Sequence, residues 1–258
     1  TPVYGVWGDP VKHSASPAMH NAAFAELGIP GVYVPFEVAP ETIEQAVAGV
    51  RALKIQGVNV TVPLKEKVGA YLDGLTERAA RLEAVNTLYW EDGKLLGDST
   101  DGPGFLAALS ADGFKVTSQT QVLVLGAGGS ARAVVEALVG AGANVVVLNR
   151  TRERAAEVAN RFGAHHAPWG EATLRLLIPD ADLLVNTTSV GRAGSEEAQL
   201  PVPKEALHPN LFVSDLNYNP AETPLLARAR ERGCRVQNGV EMLVQQGALI
   251  FARWTGTQ

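Results

Sequence analysis

Apolar residues along the chain fall into two series of short runs, each broken by segments in which they recur every three or four positions. In the first series, residues 3–8, 32–38 and 57–61 form strand-length apolar runs, and 17–27 and 41–53 carry helical spacing. In the second, strand-like runs at 121–126, 144–149, 182–186 and 211–215 surround helical patterns at 129–140 and 151–162. Such alternation predicts an α/β architecture with parallel strands. Residues 235–237 read as a further short strand. Between the series, 110–120 is polar, carries Gly113 and has no strong apolar period, so a domain boundary is expected near 101–120, crossed by a helix starting at Asp101. Residues 239–255 place Met242, Leu243, Leu249, Ile250 and Trp254 on one apolar helical face that could pack on either domain. The expected organisation is a domain of residues 1–101, to which about 240–258 returns, and a doubly wound, Rossmann-type domain of residues 102–239.

The length of 258 residues fits one or two domains at about 150 residues each. With 46% hydrophobic and 19% charged residues the chain belongs to neither the disordered nor the collagen-like class. The 22 basic residues are outnumbered by 27 acidic ones, a net charge of −5, so no overall basic field exists to hold a nucleic acid or an anionic membrane. An anionic ligand must be held by local groups. The single cysteine, Cys234, forms no internal disulfide, and its distance from the five histidines speaks against a zinc site, so no metal is expected. Residues 1–14 show no basic start followed by an apolar run, and no uncharged apolar stretch reaches the roughly 18 residues of a membrane span. The reading is a cytoplasmic protein.

The run 122–125 leads directly into Gly126-Ala127-Gly128-Gly129-Ser130-Ala131, followed by Val134, Val135 and Leu138 at helical spacing. This is G-x-G-x-x-A between strand and helix: the first glycine permits the turn, the second lets backbone approach a pyrophosphate, and the small Ala131 lets helix and strand pack. The helix start then offers N–H groups to phosphate. The next strand ends in Asn149-Arg150-Thr151, with Arg154 one turn further. No acid stands there to accept from a ribose 2′-hydroxyl, whereas two guanidiniums suit a 2′-phosphate, which favours NADP over NAD. The alternative is a pair of solvated arginines with Glu153 and Glu157 as partners.

Four polar motifs punctuate the first series: His13-Ser14-Ala15-Ser16-Pro17, Asn59-Val60-Thr61-Val62-Pro63-Leu64-Lys65, Ala84-Val85-Asn86-Thr87 and Ser99-Thr100-Asp101-Gly102. Hydroxyls, amides, one lysine and one aspartate suit a small polyhydroxylated ligand aligned by directional hydrogen bonds. Ser16 before Pro17 also reads as a helix N-cap, Asp101 as a cap for the helix at Gly102, and Lys65 as a surface lysine starting a helix with Glu66 and Lys67. His13 and His20 read as structural hydrogen-bonding residues, and Cys234 as a small buried apolar residue.

In this order the motifs resemble the shikimate/quinate dehydrogenase family, whose pattern combines H-S-x-S-P-x-x-H-N, N-V-T-x-P-x-K, A-V-N-T, N-T-D-G-x-G-F, the glycine loop, N-R-T, D-x-x-Y-x-P-x-x-T-P and M-L-x-x-Q. They stand here at 13–21, 59–65, 84–87, 99–105, 126–131, 149–151, 215–224 and 242–246, nearly the whole chain. One position departs: Ser99 replaces the family's asparagine, a shorter group without the amide fork.

The resemblance implies two α/β domains and an NADP-linked interconversion of 3-dehydroshikimate and shikimate in aromatic amino-acid biosynthesis. Lys65 and Asp101 then handle the hydroxyl proton. Ser14 and Ser16 would bind the substrate carboxylate, with Thr61, Asn86, Gln246 and Tyr218 on the ring. By the same carry-over Gly126, Ala127, Gly128, Gly129, Ser130, Ala131, Asn149, Arg150, Thr151 and Arg154 would hold NADP, with Thr188, Leu216 and Gly239 near its nicotinamide half and Glu77 as a further contact. The partner is a small molecule, and the protein a monomer or homodimer. A quinate-accepting dehydrogenase with NAD use is the neighbouring reading. A nucleotide-sensing protein that has lost the chemistry is a third, against which the intact Lys65 and Asp101 count.

Overall fold

The computed structural model describes residues 1–195 and 199–257. It divides into two compact units, Thr1–Asp101 with Val244–Gln258, and Gly102–Leu243.

The first unit runs β1 (Val3–Gly8), α1 (Ser16–Glu26), β2 (Val32–Glu37), α2 (Ile43–Leu53), β3 (Gly57–Val60), β4 (Gly74–Leu75), α3 (Glu77–Leu82), β5 (Thr87–Glu91) and β6 (Lys94–Asp98). Its sheet has the order β2-β1-β3-β5-β6-β4. Strand β1 is parallel to β2 and β3, but β5 is antiparallel to both β3 and β6. The three strands the apolar runs predict, β1, β2 and β3, are parallel as expected, and the antiparallel β5 and β6 are strands that pattern does not predict. Asp92 and Gly93, with φ of 50° and 74°, form a two-residue turn between the paired Glu91 and Lys94. Two positive φ values give the primed turn whose twist matches a hairpin, and two residues leave no length for a crossover helix.

The second unit continues with α4 (Asp101–Ala111), which starts on the last residue of the preceding segment, then β7 (Gln121–Leu125), α5 (Gly129–Gly140), β8 (Asn144–Asn149), α6 (Arg152–Phe162), β9 (His165–Pro168), α7 (Glu171–Leu177), β10 (Leu183–Asn186), β11 (Phe212–Asp215), α8 (Pro224–Glu231), β12 (Arg235–Gln237) and α9 (Gly239–Thr255). Its six strands are all parallel, in the order β12-β11-β10-β7-β8-β9. From β7 the chain builds outward through β8 and β9, then returns to place β10 on the other side of β7. The C-terminal ends of β7 and β10 therefore flank a topological switch point, where open α/β sheets bind ligands.

Strand residues alternate between two cores, as a period of two requires when both faces are covered. Val122, Val124, Val145, Val147, Leu183 and Val185 pack with residues of α5 and α6. Leu123, Leu125, Leu148 and Leu184 face the opposite way, with residues of α7 and α8. The first unit has the same layering. Val47, Val50, Val58, Leu64, Val85 and Leu88 form one cluster, while Tyr4, Phe24 and Tyr33 form another that Phe251 and Trp254 of α9 complete. Among the described residues no helix is long and apolar enough to cross a membrane.

Candidate active site

In the first unit three of the polar motifs, those of Lys65, Asn86 and Asp101, meet around Asp101, the last residue of its first segment. The Lys65 Nζ lies 2.5 Å from Asp101 Oδ2, with side chains only 16% and 10% exposed. Lys65 lies in a turn rather than opening a helix, and its carbonyl accepts Val85 N–H at 2.8 Å, so the lysine loop is tied to the asparagine motif that leads into β5. The Asn86 amide donates to Asp101 Oδ1 at 2.8 Å and to Thr100 Oγ1 at 3.0 Å, while its own oxygen accepts Thr100 N–H at 2.9 Å. Gln246 joins from α9: its side-chain oxygen is 3.4 Å from the Asn86 amide and its carbonyl accepts Thr100 Oγ1–H at 3.3 Å. Lys65, Asn86, Thr100, Asp101 and Gln246 are one hydrogen-bonded group, with the last four buried.

A second arm enters from β2. The Tyr33 phenol donates to Asn59 Oδ1 at 2.6 Å, and the Asn59 amide donates onward to the Asn86 carbonyl at 3.3 Å. Burial pushes the Tyr33 phenol far up, and the nearby Ser16 hydroxyl opposes this by favouring the ionised form. Tyr33, Asn59 and Thr100 have no assigned role at the sequence level. Asn59 lay inside a recognised motif, but an inward tyrosine in an apolar strand reads as core. Thr61 is half-buried with its methyl beside Gly8, where an added Cβ would come within 2.5 Å, so Gly8 makes room for it.

The serine motif needs a correction. Helix α1 begins at Ser16 itself, its N-cap is Ala15, and no side chain caps it. Ser14 Oγ instead accepts Ser16 N–H at 3.3 Å. Met19 N–H bonds the Ala15 carbonyl at 3.2 Å, so the cap falls one residue before the predicted one; Ser16 is the first residue of the helix, and the residue two positions earlier supplies the acceptor for its N–H. The expectation for His20 also changes. Its Nε2 is buried without a hydrogen-bond partner, and the ring stacks on Tyr33 with centroids 4.5 Å apart. Burial lowers it to about 4, so it is neutral. His13 is exposed, and Cys234 is buried as expected, its Sγ 3.2 Å from the His208 carbonyl.

In the second unit the glycine loop leaves β7 where the sequence predicts. Gly126 has φ of 115°, and a Cβ there would lie 2.4 Å from Thr187 Oγ1, so both backbone and space demand glycine. Gly128 is different: a Cβ there would meet no atom of the chain within 4 Å. The position is exposed, so a ligand has room to approach its backbone. No side chain caps α5 and no acid lies in its first turn, so its first N–H groups, at Gly129, Ser130 and Ala131, suit an anion. Ala131 is fully buried against the sheet. At the end of β8 the Asn149 amide donates to the Thr151 carbonyl at 2.9 Å, and Arg150, Thr151 and Arg154 are exposed. Glu157 pairs with Arg132 of α5 at 3.4 Å.

Across the switch point, Asn186 Oδ1 accepts from Thr188 N–H and Oγ1–H at 3.0 and 2.7 Å. Asp215 accepts from Asn186, Asn217 and Thr223. Its burial raises the carboxyl against these hydrogen bonds. This net fixes the loops that carry Thr188, Leu216 and the half-buried Tyr218. An added Cβ on Gly239 would lie 2.0 Å from the Leu216 carbonyl, so α9 starts hard against that loop. Glu77 is the one nucleotide candidate in the first unit, exposed at the start of α3.

Two family models match the chain: the shikimate dehydrogenase substrate binding domain over residues 6–88 and shikimate / quinate 5-dehydrogenase over residues 108–216. A shikimate dehydrogenase (NADP(+)) of Moorella thermoacetica is 47% identical over 100% of this chain and 89% of its own length. The chain belongs to the shikimate dehydrogenase family. Another family member, the shikimate dehydrogenase (NADP(+)) of Geobacillus kaustophilus, is 46% identical over 98% of this chain and 92% of its own. Among solved structures, shikimate 5-dehydrogenase of Thermus thermophilus in complex with NADP(H) and shikimate matches with a TM-score of 0.90 and 42% identity, covering 99% of this chain and 94% of that one.

Proposed function

We propose that this member of the family reduces 3-dehydroshikimate to shikimate, reversibly, with NADPH. The observation that carries the chemistry is the Lys65–Asp101 pair, held at 2.5 Å and anchored by Asn86. The cofactor supplies a hydride to the carbonyl carbon in reduction and takes it back in oxidation. As the carbonyl oxygen gains charge, the Lys65 ammonium donates a proton to it and becomes the amine; in oxidation the amine takes the hydroxyl proton. Asp101 keeps the lysine in place beside that hydroxyl, and the charged donor next to the oxygen stabilises the transition state.

In this reading residues 1–101 with about 240–258 form the substrate unit and 102–239 the NADP unit. Ser14 and Ser16 hold the carboxylate; Thr61, Asn86, Gln246 and Tyr218 orient the ring. The open Gly128 position and the uncapped start of α5 suit the pyrophosphate, and Arg150, Thr151 and Arg154, with Asn149 shaping their turn, suit the 2′-phosphate. Thr188, Leu216 and Gly239 border the nicotinamide half, and Glu77 is a further contact. The lone, unpaired Cys234 fits a reducing setting, the cytoplasm. Initial rates with shikimate or quinate, each with NADP or NAD, test the proposal. Turnover is expected for shikimate with NADP; quinate as the better substrate, or no preference for NADP, would refute it.

A further inference from the structure

The segment that delivers Asp101 has a second carboxylate three residues upstream. Asp98 ends β6 with 1% of its surface exposed, so its charge must be met within the fold. Arg78 of α3 meets it: Nη2 lies 2.9 Å from both Asp98 oxygens, and Nε donates to the Ser99 carbonyl at 2.5 Å. Asp98 Oδ1 also accepts Thr76 Oγ1–H and Ser99 N–H, each at 2.7 Å, and Arg253 Nη2 stands 3.7 Å from Oδ2. Thr76 in turn accepts Ala79 N–H as the N-cap of α3.

Both polar groups of the Ser99 peptide backbone are thus occupied, one by Asp98 and one by Arg78. Only Thr100 remains before Asp101, and Asn86 holds its N–H. A rigid arm runs from the Arg78 fork to the carboxylate beside Lys65. There is also an electrostatic side. Two carboxylates three residues apart, one at the end of β6 and one at the start of α4, would compete for a cation, and Arg78 with Arg253 meets the charge of Asp98, leaving Lys65 to Asp101.

We propose that Arg78 is a positioning residue of the reaction, setting the place of the Asp101 carboxylate through the Ser99 carbonyl and neutralising Asp98 beside it. The proposal rests on the dehydrogenase reading of Lys65 and Asp101. It also explains why Ser99 can replace the family's asparagine: the residue is held through its backbone, so its side chain is not what fixes the loop.

The test compares Arg78→Ala and Arg78→Lys with the wild type in shikimate-dependent NADP reduction, with thermal melts and with millimolar guanidinium added to the alanine variant. Misplacing a reacting group by an ångström costs up to about 10²-fold, so Arg78→Ala should lower kcat by about 10–100-fold with the KM for NADP within about twofold. Added guanidinium should restore part of that kcat. Arg78→Lys keeps a charge on Asp98 but not the fork that also reaches Ser99; it should melt near the wild type and still lose kcat about 3–10-fold. Wild-type kcat in folded Arg78→Lys, or an alanine variant that melts early yet turns over normally while folded, would overturn the proposal. A wild type without turnover of shikimate would overturn the dehydrogenase reading as well, which separates the two failures.

Discussion

Replacing Lys65 and Asp101, singly and together, tests whether they act as one device. At 2.5 Å the two charges attract with a gross energy of roughly 6–7 kcal/mol at an effective dielectric near 20. Lost hydration offsets much of this, and what a single substitution exposes is the partner left behind in a mostly buried place. After Lys65→Met, Asp101 keeps the Asn86 amide at 2.8 Å but no cation. The cost should be about 2–4 kcal/mol, below the range for fully buried pairs because both side chains retain some exposure. For a chain of this length that lowers Tm by roughly 5–15 °C. Asp101→Asn should behave alike, since its amide presents a donor to the Lys65 ammonium. The double variant leaves no unmatched charge and should melt above the worse single. Each single substitution should reduce kcat by roughly 10²–10⁴-fold, and the double by no more than about the larger of these, because groups acting as a unit lose their effect once. Initial rates of NADP reduction by shikimate, with melts on the same preparations, read both. If the two kcat losses multiply in the double variant, the residues act separately and the reasoning fails.

Replacing Arg150 and Arg154 by neutral residues should raise the KM for NADP at least about tenfold and leave that for NAD nearly unchanged, as NAD lacks the 2′-phosphate they are proposed to hold; equal weakening for both nucleotides would make the arginines structural. Ser14→Ala should raise the KM for shikimate and also lower Tm by a few degrees, since Ser14 Oγ accepts the Ser16 N–H, at about 0.5–1 kcal/mol for such a bond. Unchanged shikimate binding in that variant would remove Ser14 from the carboxylate site. His20, lowered from 6.5 to about 4 by burial, makes the unfolded chain the better proton binder between those values, so it makes stability fall as pH drops from 6.5 towards 4. His20→Phe should flatten that fall by an amount of order 3 kcal/mol, read from denaturant unfolding at a series of pH values; an unchanged slope would mean His20 is charged when folded.

The elements proposed to carry the nucleotide are legible because their chemistry is local. Gly126 must turn, Ala131 must pack, and both demands fall within six residues that also show strand and helix periods on either side. Helix α5 and strand β8 accordingly have the bounds their apolar pattern predicts. What escaped was built from contacts between distant positions or from weak apolar signals. Strand β9 reads His-His-Ala-Pro and is mostly exposed at the sheet edge, so no apolar run announces it. The β5–β6 hairpin is an exception, written locally as Asp92-Gly93 between Thr-Leu-Tyr-Trp-Glu and Lys-Leu-Leu-Gly-Asp but breaking the alternation of strand and helix around it. Tyr33 and Asn59 are 26 residues apart, and Arg78 and Asp98 are 20 apart. Each alone looks like core or surface. The capping expectation failed for a local reason: the helix starts one residue early, with Ala15 as its N-cap and Ser16 already in its first turn.

The membership of α9 in both units bears on synthesis. Tyr4, Phe24 and Tyr33 are made early, yet the aromatic cluster they form closes only with Phe251 and Trp254, and the Asn86–Asp101 group gains Gln246 from the same helix. The unit made first on the ribosome is thus the one completed last, whereas Gly102–Leu243 is contiguous and has all its strands before α9 emerges. During translation the second sheet can close while the first waits with an open aromatic face, which makes that face the surface a chaperone would meet.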